Sequence, residues 1–358
     1  MKEVIVLSSA CGAMFMPGFL KCLKENGERE IKIIGVDITK DPFLGNLIDK
    51  YYQVPSYNDT KYIDVLLNIC QKEKVDIFFP HISMELPIIL KRIDEFKNLG
   101  VKVAITDNKT LNTANNKLKL YKYMKDKGLK VPKYYEIKNS NELKQCAEKL
   151  GFPKVPVVVK VAENSGSRGV RIVKNNLSRS EIFLKEKPNS FNISMEDMCK
   201  TIDECMDLPD TIVMEYIPGC EYTVDLLADK GNTLYIAGRR NYESSMSIAM
   251  ATYTEKKEEA YNLCRKIVSL LELDGNIGFD FMLDKDDNPI LTDLNPRITA
   301  TIILYKEAGL NFPYLRVKQL LGEELSETDL KYGVQMKRKF CDVFQGDKYE
   351  ENFSHRGK

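Results

Sequence analysis

The side chains best suited to chemistry lie in two apolar segments near the end of the chain. The segments read GFDFM (278–282) and LTDLNPR (291–297), and the stretch DDNP (286–289) between them is rich in turn-forming residues. This pattern predicts a β-hairpin. Because side chains alternate along a strand, Asp293 and Asn295 share a face, and Asp280 comes close to opposite Asp293 on the neighbouring strand.

Two facing carboxylates repel each other unless a cation neutralises them. Mg²⁺ is a natural candidate, since it takes oxygen ligands and combines few carboxylates with phosphate oxygens. Arg297 follows on the same face, and its guanidinium suits a phosphate or a carboxylate. A surface hairpin with solvated charges stays open as the alternative, although an acid between Phe279 and Phe281 is rarely left unpaired.

A lysine ends a second apolar strand. The run from Val157 to Val161 contains Lys160 and precedes a loop that contains Gly166, Ser167 and Gly169. A lysine there is costly unless it meets an anion, and the loop can offer backbone N–H groups to phosphate. The loop is not a P-loop, because GxxxxGK[ST] is absent, and an ordinary turn is an equally simple interpretation.

A third segment, IVMEYIPGCE (212–221), predicts a strand that runs into a turn. The free backbone edge of such a strand can bind an adenine ring, and Glu221 can hold ribose hydroxyls. For this segment taken alone, a strand followed by a common Pro-Gly turn is the favoured interpretation and requires no ligand.

The elements that must position these groups begin with alternating strands and helices in the first third of the chain. Strands are predicted at 4–7, 31–36, 75–80 and 101–105, which favours a parallel, doubly wound sheet. Ligands of such sheets bind at the carboxyl ends of the strands, where Ser8, Ser9, His81, Ser83 and Glu85 are candidate substrate contacts. Glu85 is alternatively a first-turn acid at a helix N-terminus, and His81 a plain loop residue. The segment after the first strand, SSACGAMFMPG, lacks GxGxxG, which argues against a dinucleotide site.

Composition limits the function classes. The 358 residues carry a net charge of +1, which gives no electrostatic reason to expect nucleic acid as a partner. Nine scattered cysteines without metal-site spacing favour a reduced, cytoplasmic protein, and no apolar stretch is long enough to span a membrane. The tail from 333 to 358 is basic around Lys337-Arg338-Lys339, and the sequence assigns it no role.

Taken together, the three segments resemble the ATP-grasp superfamily, in the branch of carbamoyl phosphate synthase large-subunit halves, biotin carboxylase and D-alanine–D-alanine ligase. The resemblance implies a Rossmann-like pre-ATP-grasp domain (1–113), a helix linker with a lid subdomain (114–219) and a large subdomain with the metal site and tail (220–358). The fold class is accordingly α/β plus α+β. Family members are often homodimers.

The resemblance also assigns roles to individual residues. It implies ATP and Mg²⁺ as cofactors, with Mn²⁺ as an alternative metal, and places the metal on Asp280, Asp293 and Asn295. Catalytic roles fall to Lys160, Arg297 and Arg240, although Arg239 competes with Arg240 for the position near the triphosphate. The nucleotide-binding residues are expected to be Lys117, Lys160, Ser165, Gly166, Ser167, Gly169, Met214, Glu215, Tyr216, Ile217, Glu221, Asp280 and Asp293.

The expected activity is ATP-dependent ligation of a small carboxylate to an amine through an acyl phosphate. Two alternatives stay open: a carboxyphosphate or phosphoryl-transfer reaction of the carbamoyl phosphate synthase type, and a non-catalytic ATP-binding module. Asp293 departs from the family pattern, because many members have Glu there. Nothing in the chain resembles a glutaminase domain or a second synthetase half, so carbamoyl phosphate synthesis by this chain alone is not expected.

Overall fold

The structure, a computed structural model, describes residues 2–40, 43–163, 166, 168–245, 248–339 and 342. It contains three β-sheets in chain order. The first has the strand order β3-β2-β1-β4-β5 with every neighbouring pair parallel. Its strands are β1 (Val4–Ser8), β2 (Ile31–Asp37), β3 (Lys50–Gln53), β4 (Ile77–Phe79) and β5 (Lys102–Val103).

Helices cover both faces of this sheet, as the short apolar strands require. They are α1 (Met16–Lys24), α2 (Tyr62–Glu73), α3 (Leu86–Lys91), α4 (Ile93–Asn98) and α5 (Asn108–Ala114), with a 3₁₀ turn at Gly45–Leu47. The four expected strands are confirmed. β3 is an addition, and the segment after Glu85 forms two helices, α3 and α4, that are separated by Arg92.

The second sheet is mixed and has the order β6-β10-β7-β8-β9. Helix α6 (Lys117–Asp126) precedes it, begins with the side chain of Asn116 as its N-cap and ends before Gly128. The sheet strands are β6 (Tyr134–Ile137), β7 (Val157–Val161), β8 (Val170–Lys174), β9 (Asn192–Ser194) and β10 (Thr211–Glu215). Its helices are α7 (Ser140–Lys149), α8 (Arg179–Lys185) and α9 (Met195–Asp203).

The third sheet is antiparallel and has the order β15-β14-β11-β12-β13-β16. Its strands are β11 (Glu221–Asp229), β12 (Asn232–Ser245), β13 (Ile248–Thr254), β14 (Gly275–Leu283), β15 (Pro289–Asn295) and β16 (Gln335–Lys337). The helices are α10 (Glu258–Leu270), α11 (Ile303–Glu307) and α12 (Phe312–Leu321). The predicted α/β class with a parallel N-terminal sheet followed by an α+β region is confirmed. The domain boundaries stay a prediction.

The hydrophobic cores join the first and third sheets. One buried cluster contains residues of β1, β2, α1, α11 and α12 together with Leu227 and Ala237 of the third sheet. A second cluster packs α10 and α6 against the other face of the third sheet. The carboxyl edge of the first sheet is thereby held beside the hairpin β14–β15. In the described part of the chain no helix is both long and apolar enough to cross a membrane.

Candidate active site

A cleft of about 510 Å³ lies between the second and third sheets. We call it the main cleft. Strands β7 and β8 and the Gly-containing loop form one side, and β11, β12, β14 and β15 form the other. The end of β10 and the segment 297–301 complete the lining. Among the described residues, those expected to bind phosphate, adenine or metal line this cleft, with the exceptions of Gly169 and Arg240.

The two acids of the hairpin face each other as the alternation predicted. Asp280 pairs with Asp293 in the β14–β15 register, and both line the main cleft. Asp280 accepts hydrogen bonds from the Thr223 hydroxyl at 3.0 Å and from the Asn295 amide at 2.9 Å. Burial, followed by the charge of Asp293, raises the pKa of Asp280 to about 6. The pair therefore carries an electrostatic cost that a bound cation would remove.

Both expected lysines line the main cleft together with these acids. Lys117 begins α6, and its ammonium lies 3.1 Å from the Asp293 carboxylate. Lys160 lies on β7 and faces the same cleft. Burial lowers the pKa of Lys160 to about 8, although the nearby carboxylates of Asp293 and Asp280 act in the opposite direction. The main cleft therefore contains two ammonium groups and two carboxylates. The carboxylates suit a metal ion, and the ammonium groups suit the phosphate oxygens of a metal-bound polyphosphate.

The end of β10 forms the hinge between the sheets. Met214, Glu215, Tyr216 and Ile217 all line the cleft. The carboxylate of Glu215 accepts a hydrogen bond from the backbone N–H of Lys133 at 2.8 Å and is therefore already partnered. The backbone groups of Tyr216 and Ile217 are the ones that could contact an adenine ring. In the turn that follows, a Cβ at Gly219 would overlap the carbonyl of Leu283. Only glycine therefore lets the hinge lie against the hairpin.

The remaining candidates for nucleotide binding are Glu221 and the residues of the Gly-containing loop. Glu221 lines the cleft and accepts a hydrogen bond from the Ser244 hydroxyl at 2.6 Å. Gly166 and Gly169 both have positive φ angles, of 63° and 68°, which favour glycine. Gly166 lines the cleft, whereas the carbonyl of Gly169 accepts the N–H of Val161 at 2.9 Å. Ser165 and Ser167 lie outside the described residues.

The consecutive arginines of β12 point to opposite sides. Arg239 lines the main cleft, forms a buried ion pair with Asp225 and contacts the Tyr305 hydroxyl at 3.0 Å. Arg240 instead pairs with Glu255 at 2.7 Å and Asp287 at 2.8 Å, and it is absent from the described cleft lining. The expected catalytic placement of Arg240 is thus corrected, because neighbouring residues of a strand face opposite ways.

Arg297 connects the main cleft to the first sheet. Its Nε donates to the Ser83 hydroxyl at 2.9 Å, and Nη1 donates to the Ile298 carbonyl at 3.0 Å. Both hydrogen-bond partners are neutral. Burial lowers the pKa of this guanidinium, against the influence of Asp280 and Asp293. A half-buried guanidinium without a charged hydrogen-bond partner among the described residues is well placed to receive an anionic substrate group.

The other substrate candidates form what we call the first-sheet crevice, made by Ser8, Ser9, His81, Ser83 and Glu85. Glu85 is fully buried. It accepts hydrogen bonds from the Ser9 hydroxyl at 2.6 Å, from the N–H groups of His81 and Ile82 at 2.8 and 2.9 Å, and from the Tyr62 hydroxyl. Its carboxylate is therefore occupied by the protein, and Ser83 is the member of the set that meets Arg297.

Two family models match the chain. The model "ATP-grasp in the biosynthetic pathway with Ter operon" covers residues 207–339, and "PylC-like, N-terminal domain" covers residues 11–104. The first range contains the hairpin and hinge of the main cleft, and the second contains most of the parallel sheet. Residues 207–339 therefore match an ATP-grasp family model, and the chain has the ATP-grasp fold.

Two named proteins are similar to most of this chain. The carbamoyl phosphate synthase large chain of Clostridium acetobutylicum is 27% identical over 79% of the chain. The formate-dependent phosphoribosylglycinamide formyltransferase of Bacteroides fragilis is 28% identical over 72% of it. The chain spans only 25% and 63% of the lengths of these two relatives.

A solved structure shares the ATP-grasp fold. The biotin carboxylase domain dimer of the Hydrogenobacter thermophilus 2-oxoglutarate carboxylase, in complex with MgADP, ADP and bicarbonate, superimposes with a TM-score of 0.67. It is 16% identical, and the match covers 92% of this chain and 73% of that one. At this identity the likeness establishes the fold alone.

Several residues of the main cleft were not expected from the sequence. Thr223 and Asn241 share the wall with Arg239, and Phe15, Thr299 and Thr301 complete its far end. Thr223 could have been found from its alternation with Glu221 and Asp225 along β11. Phe15 and the two threonines come from loops, and no periodic pattern marks them.

Proposed function

We propose that this chain is an ATP-dependent ligase that joins a small carboxylate to an amine through an acyl phosphate and releases ADP and phosphate. One observation carries the proposal: Asp280, Asp293, Lys117, Lys160 and Arg297 converge in a single cleft. Such a combination neutralises a metal-bound triphosphate and still leaves a guanidinium for the second substrate.

The donor set fits Mg²⁺. Asp280, Asp293 and Asn295 supply oxygen atoms, and the two carboxylates face each other across the hairpin. No group of three or more His, Cys, Asp or Glu side chains in the described residues could hold a metal alone. That suits a cation that relies on phosphate oxygens for part of its shell. When bound, Mg²⁺ would neutralise charge on the phosphates.

The protein's own residues would then do the following work. Lys117 and Lys160 hold phosphate oxygens, while the backbone at Tyr216 and Ile217 receives the adenine ring and Glu221 the ribose. Arg297 orients the acid so that its oxygen attacks the γ-phosphorus and ADP leaves. An amine then attacks the acyl carbon, loses a proton and expels phosphate. The neighbouring loop around Gly166 and Gly169 closes the site against water.

The relatives support a ligase-like reaction without specifying it. A carboxyphosphate reaction is the second candidate, because a carbamoyl phosphate synthase large chain is among the relatives and bicarbonate is bound in the Hydrogenobacter structure. A non-catalytic ATP-binding module is the third. It is disfavoured by the complete set of acids, lysines and arginine in the cleft. A homodimer is proposed by analogy with the Hydrogenobacter dimer.

An ADP-release screen tests the proposal. Purified protein with MgATP is incubated with amino acids, other small acids and amines in all pairwise combinations, with bicarbonate as one of the acids. Release that requires both an acid and an amine supports ligation, and the product mass should equal the sum of the two substrates minus water. Release with bicarbonate alone would favour the carboxyphosphate reaction. Tight ATP binding without release in any combination would favour the non-catalytic module.

A further inference from the structure

Thr223 is buried and lies directly opposite Asp280 in the β11–β14 register. Both residues line the main cleft, but the function proposed above gives Thr223 no role. Side chains that face each other directly on antiparallel strands have Cβ atoms about 4.5–5.5 Å apart. A short hydroxyl side chain can therefore reach the carboxylate, and the Thr223 Oγ1 lies 3.0 Å from the Asp280 Oδ1.

A second side chain extends this contact to the next strand. Asn241 of β12 is buried and lines the cleft, and its Nδ2 lies 3.2 Å from the Thr223 Oγ1. The contacts thus cross three neighbouring strands, from β12 through β11 to β14. We call Asn241, Thr223 and Asp280 the hydrogen-bond network.

The direction of the hydrogen-bond network follows from the chemistry of Asp280. An ionised carboxylate can only accept hydrogen bonds, and a hydroxyl has one proton to donate. The proton of Thr223 must therefore point to Asp280, which leaves the oxygen of Thr223 to accept from Asn241. This requirement orients the Asn241 amide with its NH₂ group toward Thr223.

The amide of Asn241 is present at a cost. Its Oδ1 is buried and has no hydrogen-bond partner among the described residues. A leucine of similar shape would avoid the loss of hydration at this position. The hydrogen bond to Thr223 is therefore what asparagine contributes here, and that bond acts on Asp280 through the Thr223 hydroxyl.

Asp280 is held on both of its oxygens by neutral donors. Thr223 donates to Oδ1, and the Asn295 amide donates to Oδ2 at 2.9 Å. Asp293 differs, because its carboxylate lies 3.1 Å from the Lys117 ammonium. Neutral donors fix the plane of a carboxylate without cancelling its charge, and each oxygen keeps a lone pair for a cation.

We propose that Thr223 and Asn241 are positioning residues for the metal ion of the metal–nucleotide complex. They hold the Asp280 carboxylate so that its remaining lone pairs face that ion. Outer partners of metal ligands have this effect in general, and their loss typically lowers metal affinity by about 10- to 100-fold. The inference rests on the proposed function only for the statement that Asp280 is a metal ligand.

Nucleotide binding with and without metal tests this proposal independently of turnover. Titration calorimetry would measure the affinity of AMP-PNP in excess Mg²⁺ and in EDTA, and we call the ratio of the two affinities the metal contribution. Thr223→Val has a similar shape but no hydroxyl. It should lower the metal contribution by about 10- to 100-fold and leave the affinity in EDTA unchanged.

Electron paramagnetic resonance with Mn²⁺ in place of Mg²⁺ adds a spectroscopic measurement. The hyperfine lines of Mn²⁺ bound with AMP-PNP should differ between the wild type and Thr223→Val, because the orientation of the Asp280 ligand has changed. Thr223→Ser keeps the hydroxyl and should restore most of the metal contribution and the wild-type spectrum.

Two further variants separate positioning from folding. Asn241→Leu removes the donor to Thr223 and should lower the metal contribution by about two- to tenfold, which keeps the test available if Thr223→Val does not fold. Thr252→Val is the matched control. The Thr252 hydroxyl is buried in the same sheet, donates to the Arg240 carbonyl at 2.8 Å and lies outside the described cleft lining. This variant should lose one hydrogen bond and keep the wild-type metal contribution.

A metal contribution that is the same in Thr223→Val and the wild type would overturn the proposal, as would a wild type that binds AMP-PNP equally in Mg²⁺ and EDTA. An equal loss in Thr252→Val, or a matching loss of affinity in EDTA, would also overturn it, since either indicates a structural role. If no acid and amine pair releases ADP but the metal contribution still depends on Thr223, the ligase proposal fails and the positioning role stands.

Discussion

The main cleft and the first-sheet crevice both contain buried polar side chains, but they differ in how these are partnered. In the crevice, Glu85 collects hydrogen bonds from Ser9, Tyr62 and two backbone N–H groups. In the main cleft, Lys160 and Arg297 are half-buried without an ion pair among the described residues, and Asp280 faces Asp293. The Glu85 carboxylate is thus satisfied by the protein, although the Ser8 hydroxyl and the His81 Nε2 of the same crevice are buried without a partner among the described residues. The cleft, in contrast, is organised for charges that arrive with a ligand.

The largest expected effect tests the cleft side of this comparison. Lys160→Ala and Asp293→Ala should each lower the rate of MgATP-dependent ADP release by roughly 10²–10³-fold, since each removes a charge that faces the phosphates. The initial rate at varied Mg²⁺ measures this, with circular dichroism to verify folding.

Asp286→Ala is the matched control, because this carboxylate lies in the same hairpin but outside the described cleft lining. It should retain wild-type turnover. An Asp293→Ala enzyme with an unchanged rate at limiting Mg²⁺ would remove Asp293 from the metal site.

The next effect tests the crevice side. Glu85→Gln replaces an acceptor of four hydrogen bonds by an amide, whose NH₂ group faces donors. We expect the free energy of unfolding to fall by about 1–3 kcal/mol, with little change in the KM for the amine. Urea unfolding together with substrate kinetics separates the two readouts. A raised amine KM at full stability would return Glu85 to the list of substrate contacts.

A smaller effect concerns pH. Burial, with the nearby charge of Arg297, lowers the pKa of His81 to about 3. Between this value and the unfolded pKa of about 6.5, the unfolded chain binds a proton that the folded chain does not. Stability should therefore fall as the pH falls through this window, by up to about 1.4 kcal/mol per pH unit from His81 alone. Urea midpoints measured at pH 4–6.5 should show a shallower slope in His81→Gln, and equal slopes would contradict the neutral, buried state.

The same two regions show what the sequence could predict. The hairpin was predictable because Asp280, Asp293 and Asn295 lie between apolar residues at a spacing of two, and alternation alone sets their face. Strand β3 was not, because its residues, KYYQ, are half polar and exposed at the edge of the sheet. The burial of Glu85 could not be predicted from the sequence either, since its hydrogen-bond donors Ser9 and Tyr62 are far from it in the chain.

The choice between Arg239 and Arg240 shows most clearly what the sequence alone could not predict. Both residues are cations on the same strand, and which one enters the cleft depends on the register of β12 with β11. That register follows from tertiary packing, because a shift of one residue exchanges the two faces. The adjacent positions therefore provide a test in which charge, residue type and sequence environment are nearly constant.

Arg240→Ala should accordingly have the smallest effect. Its partners Glu255 and Asp287 lie on the side away from the cleft, and these partly exposed pairs contribute about 0–1 kcal/mol each. We expect near-normal ADP release and a small loss of stability. Arg239→Met in parallel should abolish release and destabilise the protein by about 3–5 kcal/mol, because it leaves Asp225 buried without its cation. Chemical denaturation and steady-state rates of ADP release measure both effects. A larger loss in Arg240→Ala than in Arg239→Met would mean that β12 is paired in the other register.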